Sequence, residues 1–162
     1  MNWIKRLALL ATMWTMSGVA AAAALPASAA PDAAQIKAAH ELLVAMQSEK
    51  MLKLTASTSH YADPRERQAV LDKLNKVPPE EIYRRLSAPI ARILTPETVA
   101  EMTRFYQSSY GQRVLKETYN SGPSLYPTDP VPTAAEKPAL KQPAYLKAQR
   151  AFQEAEIGRA HV

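Results

Sequence analysis

Thr95 to Glu117 reads TPETVAEMTRFYQSSYGQRVLKE. Thr95, Pro96 and Glu97 form a helix entrance. The hydroxyl can accept from an orphan amide, the proline lacks only an N–H that would be unpaired anyway, and the acid faces the positive end of the dipole. Val99, Met102 and Tyr106 then share one face, with Phe105 beside them. A second entrance follows, in which Ser108 or Ser109 opens a helix through Val114 and Leu115. Gly111, in its first turn, signals either close approach of another backbone or tolerance of a bend. The stretch predicts two helices meeting at a break ringed by Phe105, Tyr106 and Tyr110. Phe105 and Tyr106 are assigned to the core by the burial habits of aromatics. Tyr110 and Gly111 are the candidates for outside contact.

The same grammar runs upstream. Glu80 and Glu81 follow Pro78-Pro79 and open a helix in which Ile82, Leu86, Ile90 and Ile93 recur at helical spacing, with Tyr83 alongside. Pro89 lies inside that run and is expected to kink it. Asp63-Pro64-Arg65-Glu66 starts an earlier helix with Val70, Leu71, Leu74 and Val77 turned inward. Asp32 and Gln35 fit a capping box ahead of Ile36, Ala39, Leu43 and Met46. Ser48 is a candidate cap for a further segment through Met51, Leu52 and Leu54, and a single bent helix over 33–60 fits the pattern equally well.

Downstream, Asn120 to Pro138 contains five prolines and reads as a loop over 121–138. Gln142-Pro143 opens a last helix over 139–155, with Tyr145, Ala148 or Gln149, and Phe152 as its apolar side. Glu156-Ile157-Gly158-Arg159-Ala160-His161-Val162 departs from that pattern and matches the translation of a common sequencing-library adapter. The expectation is an artefactual tail on a helix that naturally runs past Glu154. The chain thus predicts an all-α irregular bundle of about five to seven helices with a Pro-rich loop before the last, its helical domain spanning 30–120. Four glycines against thirteen prolines argue the same way, since hairpin turns are scarce.

Residues 1–29 read as an address. Lys5 and Arg6 make a positive start, Leu7 to Val19 an apolar run, and Ala27-Ser28-Ala29 a small–x–small cleavage site. A cleaved Sec signal and a periplasmic destination follow. The alternative is a retained anchor, because Leu7 to Leu25 approaches the ~20 residues that span a bilayer. With no cysteine there is no lipobox, no disulfide, no thiol chemistry and no Cys-type zinc site. Losing Lys5 and Arg6 takes two charges from the formal +5, leaving a mild basic excess. Nucleic acid is not the expected partner in that compartment, and anionic lipid or cell-wall polymer is the reading if the charge matters.

No stretch carries a catalytic fingerprint. His40-Glu41 begins an HExxH, but Val44 stands where the second histidine belongs. His60, with Tyr61 and Asp63, reads as a polar helix end. Glu80-Glu81 and Glu97 with Glu101 are carboxylate pairs on single helices, where dipole compensation explains them. No serine sits in G-x-S-x-G, and no glycine loop for phosphates occurs. Arg84, Arg85 and Arg92 are candidates for one anion-contacting side of their helix.

Ile82 through Leu115 resembles a bacterial exported family known as domain of unknown function 2059. Its hallmark is a helix entered by Thr/Ser-x-Glu, an aromatic pair, then Ser-x-x-Gly-Gln-basic-apolar-Leu. Here these are Thr95-Pro96-Glu97, Phe105-Tyr106, and Ser108-Ser109-Tyr110-Gly111-Gln112-Arg113-Val114-Leu115, preceded by Ala88-Pro89-Ile90. Relatives often carry proline after the capping serine, where this chain has Ser109. The resemblance is strong over about 80–118 and loose elsewhere. It implies an all-helical periplasmic protein and no reaction or cofactor. The expected function is a non-enzymatic envelope module that binds a protein or peptide in a groove near the aromatic break. The alternatives are a cell-wall or lipid hydrolase using Glu97, Glu101 or His60, and a protein that binds anionic surfaces.

Overall fold

Helix starts written into the sequence become helix starts in space. The computed structural model describes residues 30–120 and 129–157; the signal-like segment, most of the Pro-rich loop and the end of the adapter-like tail lie outside them. Eight helices occur among the described residues and no strand: α1 (Ala33–Ala45), α2 (Ser48–Thr58), α3 (Pro64–Lys76), α4 (Pro79–Ile93), α5 (Pro96–Gln107), α6 (Ser109–Asn120), α7 (Lys137–Leu140) and α8 (Pro143–Ile157). The fold is an all-α irregular bundle.

The caps are of the expected kind. Asp32 and Gln35 exchange bonds of 2.7 and 2.9 Å in a complete capping box. Asp63 accepts from the Arg65 amide at 2.8 Å, and Thr95 from the Thr98 amide at 3.3 Å, each with proline next in the chain. Pro89 sits inside α4, which runs on to Ile93.

The α1–α2 junction departs from expectation. The chain breaks at Gln47, which adopts left-handed backbone angles (φ 52°, ψ 47°) and itself takes the N-cap position. Ser48 is the first residue of α2 rather than its cap, and its hydroxyl turns back to the Leu43 carbonyl at 2.8 Å. That closes off a single bent helix over 33–60.

α5 lies at the centre, against α1, α6 and α8, while α1 packs most extensively on α4. The core is built from Leu42 and Leu43 of α1 and Met46 just past its end, Tyr83 and Ile90 of α4, Val99, Met102, Phe105 and Tyr106 of α5, Val114 and Leu115 of α6, and Ala148 and Phe152 of α8. Tyr106 is wholly buried; hiding a large side chain of this kind contributes about 1.5–3 kcal/mol. α2 joins this core to α3. The apolar face of α3 points as expected but is only half-buried, because α2 is its principal neighbour. α7 occupies Lys137–Leu140, inside the end of the segment expected to be loop, and α8 extends through Ile157 into the first residues of the adapter-like tail.

Candidate functional site

The corner between α5 and α6 is made by the residues that carry the family resemblance. Ser108 ends one helix and starts the next: its hydroxyl donates to the Phe105 carbonyl at 2.6 Å and accepts from the Gly111 amide at 3.1 Å. Gly111 is buried, and a Cβ there would stand 2.0 Å from the Phe105 oxygen and 2.9 Å from the Tyr106 Cα. Of the two readings of this glycine, close approach is the one observed, and the approaching backbone is the end of α5. The Gln112 side chain donates to the Tyr106 carbonyl at 2.5 Å, covering a helix-end acceptor. Leu115 is buried beneath the corner.

Phe105 and Tyr106 are core, and the aromatic break is a filled cluster rather than a groove. The Phe105 ring meets Tyr106 at 5.0 Å, Tyr145 of α8 at 5.2 Å and Tyr110 at 6.1 Å between centroids. Tyr110 is half-buried, with the Arg113 guanidinium 5.6 Å from its ring centre. Burial raises the Tyr110 hydroxyl above its ordinary pKa and lifts Tyr145 to about 12. Both phenols are therefore neutral and are poorly suited to serve as bases.

The carboxylates and histidines considered for hydrolysis are spread over different helix ends. Glu97 is exposed in the first turn of α5, and its carboxyl is held below the ordinary value by its own backbone amide and then by the Thr95 hydroxyl. That direction is opposite to what a general acid needs. Glu101 pairs with Arg104 one turn away, at 2.5 Å. His60 is exposed beyond the end of α2, and Asp63 beside it caps α3. His40 contacts Glu80 at 2.8 Å and meets the Tyr83 ring edge-on, a contact between α1 and α4. Among the described residues no group of three His, Asp or Glu is arranged to hold a metal ion.

Arg84 and Arg85 both turn to Glu81, at 2.8 and 2.5 Å, and hold its carboxyl below the ordinary range, Arg84 more than Arg85. Arg92 is exposed in the last turn of the same helix and does not join them. The three therefore form no shared anion site in this arrangement.

A different concavity is present. Between the α1–α2 corner and α6 lies an open cleft of about 380 Å³. Gln47 and Lys50 line one wall; Gln112, Arg113 and Lys116 line the other; Tyr119 and Asn120 close its end. The Tyr119 hydroxyl lies 2.5 Å from the Met46 carbonyl and 3.2 Å from the Gln47 carbonyl, tying the corner to α6. Gln47 reaches Gln112 at 3.2 Å, and Lys50 donates to Gln47 at 2.5 Å while lying 5.9 Å from the Tyr119 ring centre. These contacts hold Gln47 in a backbone region that costs a non-glycine residue about 1–2 kcal/mol.

Behind the cleft a strap crosses α6. Glu136 accepts from Arg113 at 2.7 and 3.0 Å, from Ser109 at 2.7 Å and from the Thr133 amide at 2.8 Å. Arg113, above all, holds the Glu136 carboxyl down at about 2. Ser109 is thus the hydroxyl that meets the strap.

The residues of this cleft were missed by motif reasoning, since Gln47 and Lys50 lie far from Lys116 in the chain and fold alone brings them together. Only the resemblance to Gln112-Arg113 touched it. Comparison with protein families, with curated proteins and with solved structures finds no match for this chain.

Proposed function

We propose that the protein is a non-enzymatic binding module of the bacterial cell envelope, exported by its N-terminal segment and related to domain of unknown function 2059. Its partner, a protein or peptide, docks in the cleft between the α1–α2 corner and α6. The observation that carries this reading is the cleft itself: a recess of about 380 Å³ whose wall is a non-glycine residue, Gln47, held left-handed. Strained backbone persists where neighbouring contacts over-determine it, and such places gather at binding sites. The α5–α6 motif supports the reading by fixing the wall on which Gln112, Arg113 and Lys116 stand. The groove first expected at the aromatic break is replaced by this neighbouring surface, because Tyr145 occupies the break.

The experiment is affinity capture from envelope extract by the purified full-length protein, compared with its Lys116→Glu and Arg92→Glu variants. One specific component retained by wild type and by R92E, and lost with K116E, is the expected result. Turnover of peptidoglycan or phospholipid by the purified protein, or capture indifferent to Lys116, would overturn it.

A further inference from the structure

We infer that the segment received by this cleft presents carboxylate side chains, an inference that rests on the binding-module reading above. The cleft carries three cations, Lys50, Arg113 and Lys116, and no acid among its lining residues. Arg113 is already matched by Glu136, whereas Lys50, which donates one hydrogen bond to Gln47, and Lys116 have no carboxylate partner among the described residues. Lysines without a carboxylate partner among the described residues also occur elsewhere, Lys53, Lys73 and Lys76 among them; what sets the cleft apart is that three cations and no acid share one recess. Among the described residues no carboxylate lies within ion-pair distance of Lys50 or Lys116. Glu49, next to Lys50 in the chain, is engaged by the Tyr83 hydroxyl.

The setting suits a peptide better than a lipid surface. Lys50 and Lys116 are exposed at the rim of a recess between two helical surfaces, a shape that an extended chain can follow. Side-chain amides stand beside them: Gln112 is committed to Tyr106 and Gln47, and Asn120 at the end of α6 is exposed. The exposed Asn120 amide can meet a peptide backbone while the ammonium groups meet its carboxylates. Residues 121–128, which follow Asn120, contain no charged side chain and so cannot supply the complement.

Fluorescence anisotropy on the full chain tests this with a labelled glutamate-rich peptide, the matching glutamine-rich peptide, and vesicles of phosphatidylglycerol or phosphatidylcholine. The expected result is binding of the glutamate peptide alone, weakened roughly tenfold by Lys50→Glu or Lys116→Glu and weakened further by salt. Gln47→Gly keeps the left-handed corner without the side chain and should weaken binding several-fold while the protein stays folded. Equal binding of the glutamine peptide, insensitivity to both lysine reversals, or binding of phosphatidylglycerol vesicles in place of the peptide would each overturn the inference. So would self-association in sedimentation that K116E abolishes, because the occupant would then be a second copy. If K116E still loses the captured envelope component while the acidic peptide fails to bind, the binding module stands and its acidic ligand falls; if capture fails as well, both fall.

Discussion

Gly111 tests the corner most sharply, because what a methyl group would meet there is main chain. With the Phe105 carbon 2.8 Å and its oxygen 2.0 Å from the site of a Cβ, no side chain can swing aside. Gly111→Ala should cost about 3 kcal/mol by overpacking, measured by urea denaturation of the full chain; a loss under about 0.5 kcal/mol would show that the corner is slack. Gln47 makes the opposite case. Glycine relieves left-handed strain, so Gln47→Gly should leave stability unchanged or raise it by up to about 1 kcal/mol, even though it removes a side chain from the cleft wall. A stabilised variant that binds less well is the signature of a residue kept for function, and marked destabilisation would contradict it. The two positions also differ in legibility. A glycine in a first helical turn leaves close approach and tolerance of a bend equally open, and only the position of the Phe105 carbonyl decides between them. Met46-Gln47-Ser48 contains no glycine or asparagine, so nothing local announces a left-handed residue. Tyr119, packed from the far end of α6, is what makes that conformation tenable.

Among the elements, the strap over α6 has the clearest electrostatic consequence. The folded pKa of Glu136 lies below its unfolded value because Arg113 donates to the ionised carboxylate. Its contribution is therefore complete above the ordinary carboxylate range and is lost as pH falls toward about 2. Limited proteolysis across that window should show the residues before α7 becoming susceptible as acid is added, while Glu136→Gln is susceptible at neutral pH and changes little. Equal resistance of wild type and E136Q at neutral pH would mean that the carboxylate does not hold the strap. Ser109→Pro asks the same of the partner side: proline suits the first position of α6, so helicity by circular dichroism should hold while the strap loosens. Joint loss of helicity would contradict this division of roles. Helix starts in this chain were legible because proline and a polar cap act within one turn. The helix α7 at Lys137–Leu140 was not, since its single turn follows Glu136 and the strap contacts made through it, and no periodic apolar face announces it.

Across the whole molecule, the apolar stripes read from the sequence became one core with α5 at its centre, and the all-α class followed from proline stops and helical periodicity. Which stripes meet, and how deeply, was not readable. Val70, Leu71, Leu74 and Val77 share a face as cleanly as any in the chain, yet α3 ends half-buried because α2 is its main support. Likewise, Arg84 and Arg85 suggested an anion site until Glu81, one turn away, proved to occupy both. The cleft exists only because the α1–α2 corner and α6 come side by side, so it belongs to tertiary packing alone. Site-specific photocrosslinking in living cells tests it most directly, with a photoreactive side chain placed at Lys116, Asn120 or Lys50 and, as controls, at Arg84 or Arg92. The expected result is one discrete adduct from the three cleft positions and none from the controls; adducts from α4 alone, or none from the cleft, would contradict the assignment of this surface as the binding site.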